Sequence, residues 1–213
     1  MKKDLPLTKA EKIILSIEGL THRGEGVGRH QGLAVFVPGT APGDLVLAEV
    51  DVLKKNYARA RLLEVMERSP GRVEPGCAHY DSCGGCSLQH LDYVEQLRLK
   101  AGLVKDSLSR LAGLPGAPVL ETLGMVQPWH YRNKAHFQVE QQGGKYRLGF
   151  YEEGTHLLAA FFGEPGGSAA GCLLVDRELN QVASVVEKML NNHGVPGAGA
   201  GGRGGFFRHV VLR

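Results

Sequence analysis

Three cysteines fall within ten residues of the segment CAHYDSCGGCSLQH, 77–90: Cys77, Cys83 and Cys86. The chain carries one more, Cys172, eighty-six positions beyond Cys86. Four thiolates suit soft metals. A zinc ribbon usually offers two C-x2-C pairs, one per knuckle. The C-x5-C-x2-C spacing with one remote cysteine better suits a cubane iron–sulfur cluster, one loop holding three corners and a distant residue the fourth. Gly84 and Gly85 fit that reading, because backbone that runs close to cluster sulfides has no room for side chains. Zinc, and plainly buried or disulfide-bonded cysteines, remain the other readings of the spacing. His79 and His90 read as polar loop groups, since the thiols already make a full ligand set.

Two further stretches have residue types that could meet nucleic acid. LKKNYARARLL, 53–63, interleaves Lys54, Lys55, Arg59 and Arg61 with Tyr57. On a strand, Tyr57, Arg59 and Arg61 share a face; the cations suit phosphates and the ring could stack on a base. A solvated basic edge strand, protected from aggregation by its lysines, has the same composition. YRNKAHF, 131–137, read as a strand, puts Arg132, Lys134 and His136 opposite Tyr131, Asn133 and Ala135. Ordinary surface cations explain it equally well. Trp129, the single tryptophan, reads as core rather than a base platform. A net charge of +3 and a pI near 8.7 are compatible with nucleic acid without requiring it.

The elements that must position these residues read as two β-rich regions separated by a helix. KIILSIEGL and LAVFVPG are short strands, and LVLAEVDVLKKNYARARLLEVME is two strands joined near Lys54-Lys55-Asn56. HRGEGVGRHQG reads as a glycine-rich turn and TAPGD as a second turn at Pro42-Gly43. Short strands at this spacing suggest a small antiparallel barrel of oligonucleotide-binding type over 8–68. A Pro/Gly linker and the cysteine loop occupy 69–92. Residues 91–114 read as a helix with Leu97, Val104, Leu108 and Leu111 on one side, stopped by Gly113 and Pro115. The remainder, within 93–213, is mixed: a hairpin turning at Gly143-Gly144, then a helix with Leu179, Val182, Val186 and Met189 as its apolar stripe and Gly194 as its stop. The fold class is therefore mixed α+β.

The N-terminus MKKDLPLTKAEK is charged and lacks an apolar h-region, and no apolar run is long enough to span a bilayer. The expected compartment is the cytoplasm, where clustered cysteines more often bind metal or do chemistry than form disulfides.

The segment CAHYDSCGGCSLQHLDYVEQLRLK resembles the cluster loop and following helix of bacterial RNA uracil-5-methyltransferases, notably the 23S ribosomal RNA type. Upstream, IEGLTHRGEGVGRHQGLAVFVPGTAPGD and its continuation resemble their RNA-binding TRAM domain. PWHYRNKAHFQV, LGFYEEGTH and FFRHVVLR resemble their central domain, the last being the strand that ends it. The resemblance covers nearly the whole chain. It implies a 4Fe-4S cluster on Cys77, Cys83, Cys86 and Cys172. It also implies RNA, ribosomal in the type named, bound across the barrel and central domain, with the target uridine flipped out of its stack. S-adenosylmethionine would supply the methyl group and a cysteine would add to C6 of the uracil. The segment before Cys172 is longer than the family pattern, and Leu173 stands where that pattern has proline.

The catalytic half implied by the resemblance is expected to lie outside this chain. GAGAGG, 197–202, has the look of a nucleotide-binding turn but follows a helix rather than a strand, and reads as a loop. No cysteine is left over as nucleophile. The expectation is the N-terminal part of such an enzyme, inactive alone, with the methyltransferase domain docking on its central domain and with no catalytic or S-adenosylmethionine-binding residue here. A stand-alone RNA-binding iron–sulfur or zinc module is the alternative. An electron carrier would use the same thiols but has no need of the basic strands.

Overall fold

The computed structural model describes residues 5–162, 171–193 and 207–213. Its backbone contacts divide the chain into two units, residues 1–75 with 87–124 and residues 76–86 with 125–213. The cysteine loop is thus an excursion of the chain into the second unit.

The first unit is a six-stranded sheet. Its strands are β1 (Lys12–Ser16), β2 (Gly19–Leu20), β3 (Gly26–His30), β4 (Leu33–Val37), β5 (Leu45–Leu53) and β6 (Tyr57–Glu67), in spatial order β1-β5-β6-β4-β3-β2. Alternation along each strand turns one set of side chains inward, and Ile13, Leu15, Val35, Val37, Val46, Ala48, Val50, Ala58 and Ala60 form the core.

Two features differ from the expected barrel. The ladder is not closed, and β4 pairs with β6 in parallel. The reason lies at Ile17-Glu18, between β1 and β2. The Ile17 N–H donates to Asp44 O, and the Glu18 N–H donates to Val27 O. Consecutive residues therefore bond toward opposite ends of a curled sheet. β1 and β3 come close, with a Cβ on Gly28 falling 2.2 Å from Ser16 O, but they share no ladder.

The expected turn over GEGVG is also corrected, because residues 26–30 are strand β3, paired with β4 from Gly26↔Val37 to His30↔Leu33. Glycine lowers β propensity, which hides this strand. Here it permits close approach: a Cβ on Gly26 would sit 2.0 Å from Thr40 Oγ1.

Helix α1 (Tyr93–Arg110) starts where the Asp92 carboxylate accepts from the Val94 N–H. Past its end, left-handed Gly113 turns the chain so that the Leu114 N–H reaches Leu108 O. The expected apolar stripe is not buried: no residue of α1 is, and Val104 and the capping Leu111 are exposed.

The second unit is a four-stranded antiparallel sheet of β7 (Ala135–Gln142), β8 (Lys145–Tyr151), β9 (Leu158–Ala160) and β10 (His209–Leu212), in order β10-β7-β8-β9. Gly143 and Gly144, at φ +58° and +79°, make the two-residue turn between β7 and β8. FFRHVVLR contributes β10 as an edge strand.

Helix α2 (Arg177–Asn192) begins at the capping residue Asp176. Its buried residues are Asn180, Ala183 and Glu187, whereas Val182 and Met189 of the expected stripe are about half exposed. The inward polar groups bracket backbone. Glu187 accepts from the Leu148 N–H at 2.7 Å and pairs with Arg147. Asn191, at the exposed end of the helix, accepts from the Tyr146 N–H and donates to Tyr146 O. The expected helix stop Gly194 and the loop 197–202 lie outside the described residues.

Residues 131–134 are not the strand expected from YRNKAHF. Arg132 forms a single parallel bridge with Val175, its N–H donating to Leu174 O while its carbonyl accepts from the Asp176 N–H. The chain bends at Asn133, and alternation starts only at buried Ala135.

Candidate metal centre and nucleic-acid surface

The cysteine loop is held by its own backbone and by glycine. The His79 carbonyl accepts from the N–H groups of Ser82 and Cys83, and the Cys77 carbonyl from that of Tyr80. The Gly84 N–H donates to Tyr151 O, in a contact so tight that a Cβ on Gly84 would lie 2.9 Å from that same oxygen. The Gly85 N–H donates to Cys83 Sγ at 3.3 Å, and the Arg132 guanidinium donates to Gly85 O at 3.4 Å. Arg132, a candidate RNA contact in the sequence, thus touches the cysteine loop.

Cys172 reaches the same unit from the far side of the sequence. It is 6% exposed and packs in the second core, with Cys83 and Cys86 against that core. Asn180 fixes it, accepting from the Cys172 N–H at 3.0 Å and donating to Cys172 O at 2.9 Å. This residue was missed in the sequence. Its signal was a polar residue on the 180, 183, 187 face of the helix.

None of the four cysteines is in a disulfide. Burial is the main cause that raises the Cys77 thiol, and the charges of Cys172 and Cys86 push it the same way. Burial pushes Cys83 up to about 11. The Gly85 N–H works against that shift, while the charges of Cys86, Cys172 and Cys77 add to it. All four thiols are therefore within electrostatic reach of one another in a poorly solvated place. Such a place disfavours thiolate unless positive charge enters it.

Among the described residues, no group of three or more His, Cys, Asp and Glu side chains is placed to hold a metal ion. A single zinc with bonds of about 2.3 Å needs its sulfurs about 3.8 Å apart; a polynuclear cluster takes a wider set. The residues fit a sulfur-rich cluster by three observations. The donor set is four thiols, the loop is glycine-lined against Cys83 Sγ, and the buried His79 Nε2 has no hydrogen-bond partner. Burial lowers the His79 pKa, which favours the neutral ring. His90 belongs elsewhere, in the first unit, with its Nε2 against Thr40 O at 3.1 Å.

On β6, Ala58 and Ala60 point into the core, and Tyr57, Arg59 and Arg61 alternate outward. Tyr57 is 37% exposed and packs edge-on against Phe36 at 5.8 Å between centroids. Arg59 pairs with Glu25, and Arg61 with Glu49 at 3.3 Å. Lys54 and Lys55 are exposed in the β5–β6 loop, and Lys134 is exposed just before β7. Trp129 is partly buried against the second core.

A family profile described as the TRAM domain matches residues 7–63. An uncharacterized RNA methyltransferase of Halalkalibacterium halodurans is 36% identical over 212 residues, covering 100% of this chain and 44% of that protein. One from Listeria monocytogenes is 38% identical, covering 97% of this chain and 44% of its own length. The fold is shared with the crystal structure of Pyrococcus abyssi tRNA (uracil-54, C5)-methyltransferase in complex with S-adenosyl-L-homocysteine. That match has a TM-score of 0.63 and 21% identity, over 94% of this chain and 42% of that one. A TRAM domain followed by a mixed α+β unit defines the class. The chain is similar over nearly its whole length to proteins named as RNA methyltransferases and carries a match to the TRAM domain, and it spans less than half the length of the curated relatives it matches. No described helix is long and apolar enough to cross a membrane.

Proposed function

We infer that the chain is the RNA-binding and cluster-bearing part of an S-adenosylmethionine-dependent RNA uracil-C5 methyltransferase, acting on ribosomal RNA in the cytoplasm. The carrying observation is the gathering of Cys77, Cys83, Cys86 and Cys172 in one partly buried place within a chain similar to RNA methyltransferases. The solved structural neighbour, named a tRNA uracil-C5 methyltransferase, supports the choice of uracil. Its bound S-adenosyl-L-homocysteine supports the methyl donor.

The proposed domains are 8–68 for the TRAM unit, 69–92 for the linker and cysteine loop, and 93–213 for the helix and central domain. Cys77, Cys83, Cys86 and Cys172 would hold the 4Fe-4S cluster. Once bound, it supplies a structural cross-link between the loop and the segment before α2. Asn180 orients the Cys172 backbone, and Gly85 leaves its N–H free to donate to Cys83 Sγ. Lys54, Lys55, Arg59, Arg61 and Lys134 would meet phosphates, Arg132 would do so while bracing the loop, and Tyr57 would stack on a base. Methyl transfer itself is assigned to residues outside this chain.

Anaerobic purification with iron, sulfide and zinc analysis tests the cluster. About four irons and four sulfides per chain, with broad brown absorbance lost in Cys172→Ser, is the expected result. One zinc and no colour overturns the cluster and favours a zinc-stabilised RNA-binding module.

A further inference from the structure

Helix α2 borders an open groove of about 560 Å³ in the second unit, which shares only Asn180 with the residues assigned above. Arg177, Gln181, Ser184 and Lys188 line it from one helix face at spacings of four, three and four. His130 and Asn180 complete the lining with Val185, and no carboxylate is among these residues.

The groups differ in how far they are already committed. Asn180 is spent on Cys172 and Val175. Among the described residues, Arg177 and Lys188 are in no ion pair. His130 is a non-glycine residue at φ +56°. Such conformations persist only where the surroundings fix them, and they concentrate at functional sites. What fixes it here is visible: its N–H donates to Leu173 O at 2.8 Å, and its Nδ1 bonds Val175 O at 2.9 Å. A carbonyl only accepts, so Nδ1 carries the proton. In the neutral ring, Nε2 is then an acceptor.

We propose that this groove is a subsite for the sugar–phosphate backbone of single-stranded RNA, with Arg177 and Lys188 on phosphates and His130, Gln181 and Ser184 on ribose hydroxyls. Length decides between a strand and a free anion. Eleven helical steps set the Cα atoms of Arg177 and Lys188 about 16 Å apart along the helix, a span that suits successive phosphates better than one. Gln181 and Ser184, between them on the helix, can each donate and accept. That mixture suits the 2′-hydroxyl, which donates and accepts. The inference rests on the RNA-binding reading given above.

The test is fluorescence anisotropy of the full chain with a labelled single-stranded RNA of about twelve nucleotides, titrated between about 50 and 200 mM salt. Arg177→Gln combined with Lys188→Gln should weaken binding roughly tenfold or more. It should also flatten the log K against log salt slope by about 1.4, at about 0.7 per phosphate contact. Val185→Glu, at an exposed position, puts a carboxylate in the groove and should weaken binding without removing any cation. Wild-type binding with an unchanged slope in both variants overturns the groove and leaves the RNA-binding reading standing. Absence of any wild-type binding to RNA overturns both.

Discussion

Asp44 is fully buried and charged, in a turn whose sequence, TAPGD, gives no hint of it. Burial opposes the charge, but the Arg72 guanidinium and the N–H groups of Ser69 and Ala41 outweigh it and hold the carboxyl below its ordinary value of 3.8. Arg72 also donates to Gly39 O, so the Pro/Gly linker is pinned to the sheet. Removing one partner of a buried pair leaves the other uncompensated. Asp44→Asn should therefore cost about 3 kcal/mol in urea unfolding. Because the folded pKa is depressed, the charge stabilises above the unfolded value of 3.8, and that share is lost as pH falls through the folded value. His90, lowered mainly by burial, loses its share as pH falls below 6.5 through its own folded value. Stability measured against pH should thus fall in two acid steps, and the lower one should vanish in Asp44→Asn. A single step in both proteins would sink this account. The sequence could not disclose the network, because Ser69 and Arg72 lie twenty-five and twenty-eight positions away.

Among elements, what the sequence discloses is what side-chain periodicity controls. β4, β5 and β6 follow alternation, and the hairpin at Gly143-Gly144 follows turn chemistry. β3 is hidden because its glycines are chosen for space rather than propensity. Gly28→Ala should destabilise the first unit by several kcal/mol, since its Cβ would meet backbone at Ser16 O rather than a movable side chain. Gly32→Ala, with open space but φ +86°, should cost only about 1–2 kcal/mol. Equal costs would mean that the approach of β1 does not make Gly28 necessary. The stripe on α2 misleads for a different reason: its inward face spends polar residues on backbone brackets, which hydrophobic spacing does not register. Asn180→Ala removes three hydrogen bonds at Cys172 and Val175. It should lower stability by about 1–3 kcal/mol and reduce the iron retained per chain. Destabilisation with full iron content would make Asn180 structural only.

At the scale of the molecule, the chain alternates between units: residues 1–75 in the first, 76–86 in the second, 87–124 in the first again, and 125–213 in the second. All four cysteines belong to the second unit, although three of them sit between two stretches of the first in sequence. The spacing of those cysteines was legible; their confinement to one unit was not, because it depends on a chain reversal no local pattern encodes. The first unit has its own core of Ile13, Val35, Val46 and their neighbours and draws on no thiol. Metal binding contributes directly to folding free energy where the site is absent from the unfolded chain. Oxidative stripping of the proposed cluster should therefore act on one unit. Hydrogen exchange followed by mass spectrometry should show faster exchange over 76–86 and the start of α2 in the stripped protein. Amides of β1 to β6 should keep their protection, because local opening follows cooperative units. Equal loss across β1 to β6 would mean that the two units open together and that the cluster stabilises the whole chain. Unchanged exchange at 76–86 would remove its structural role.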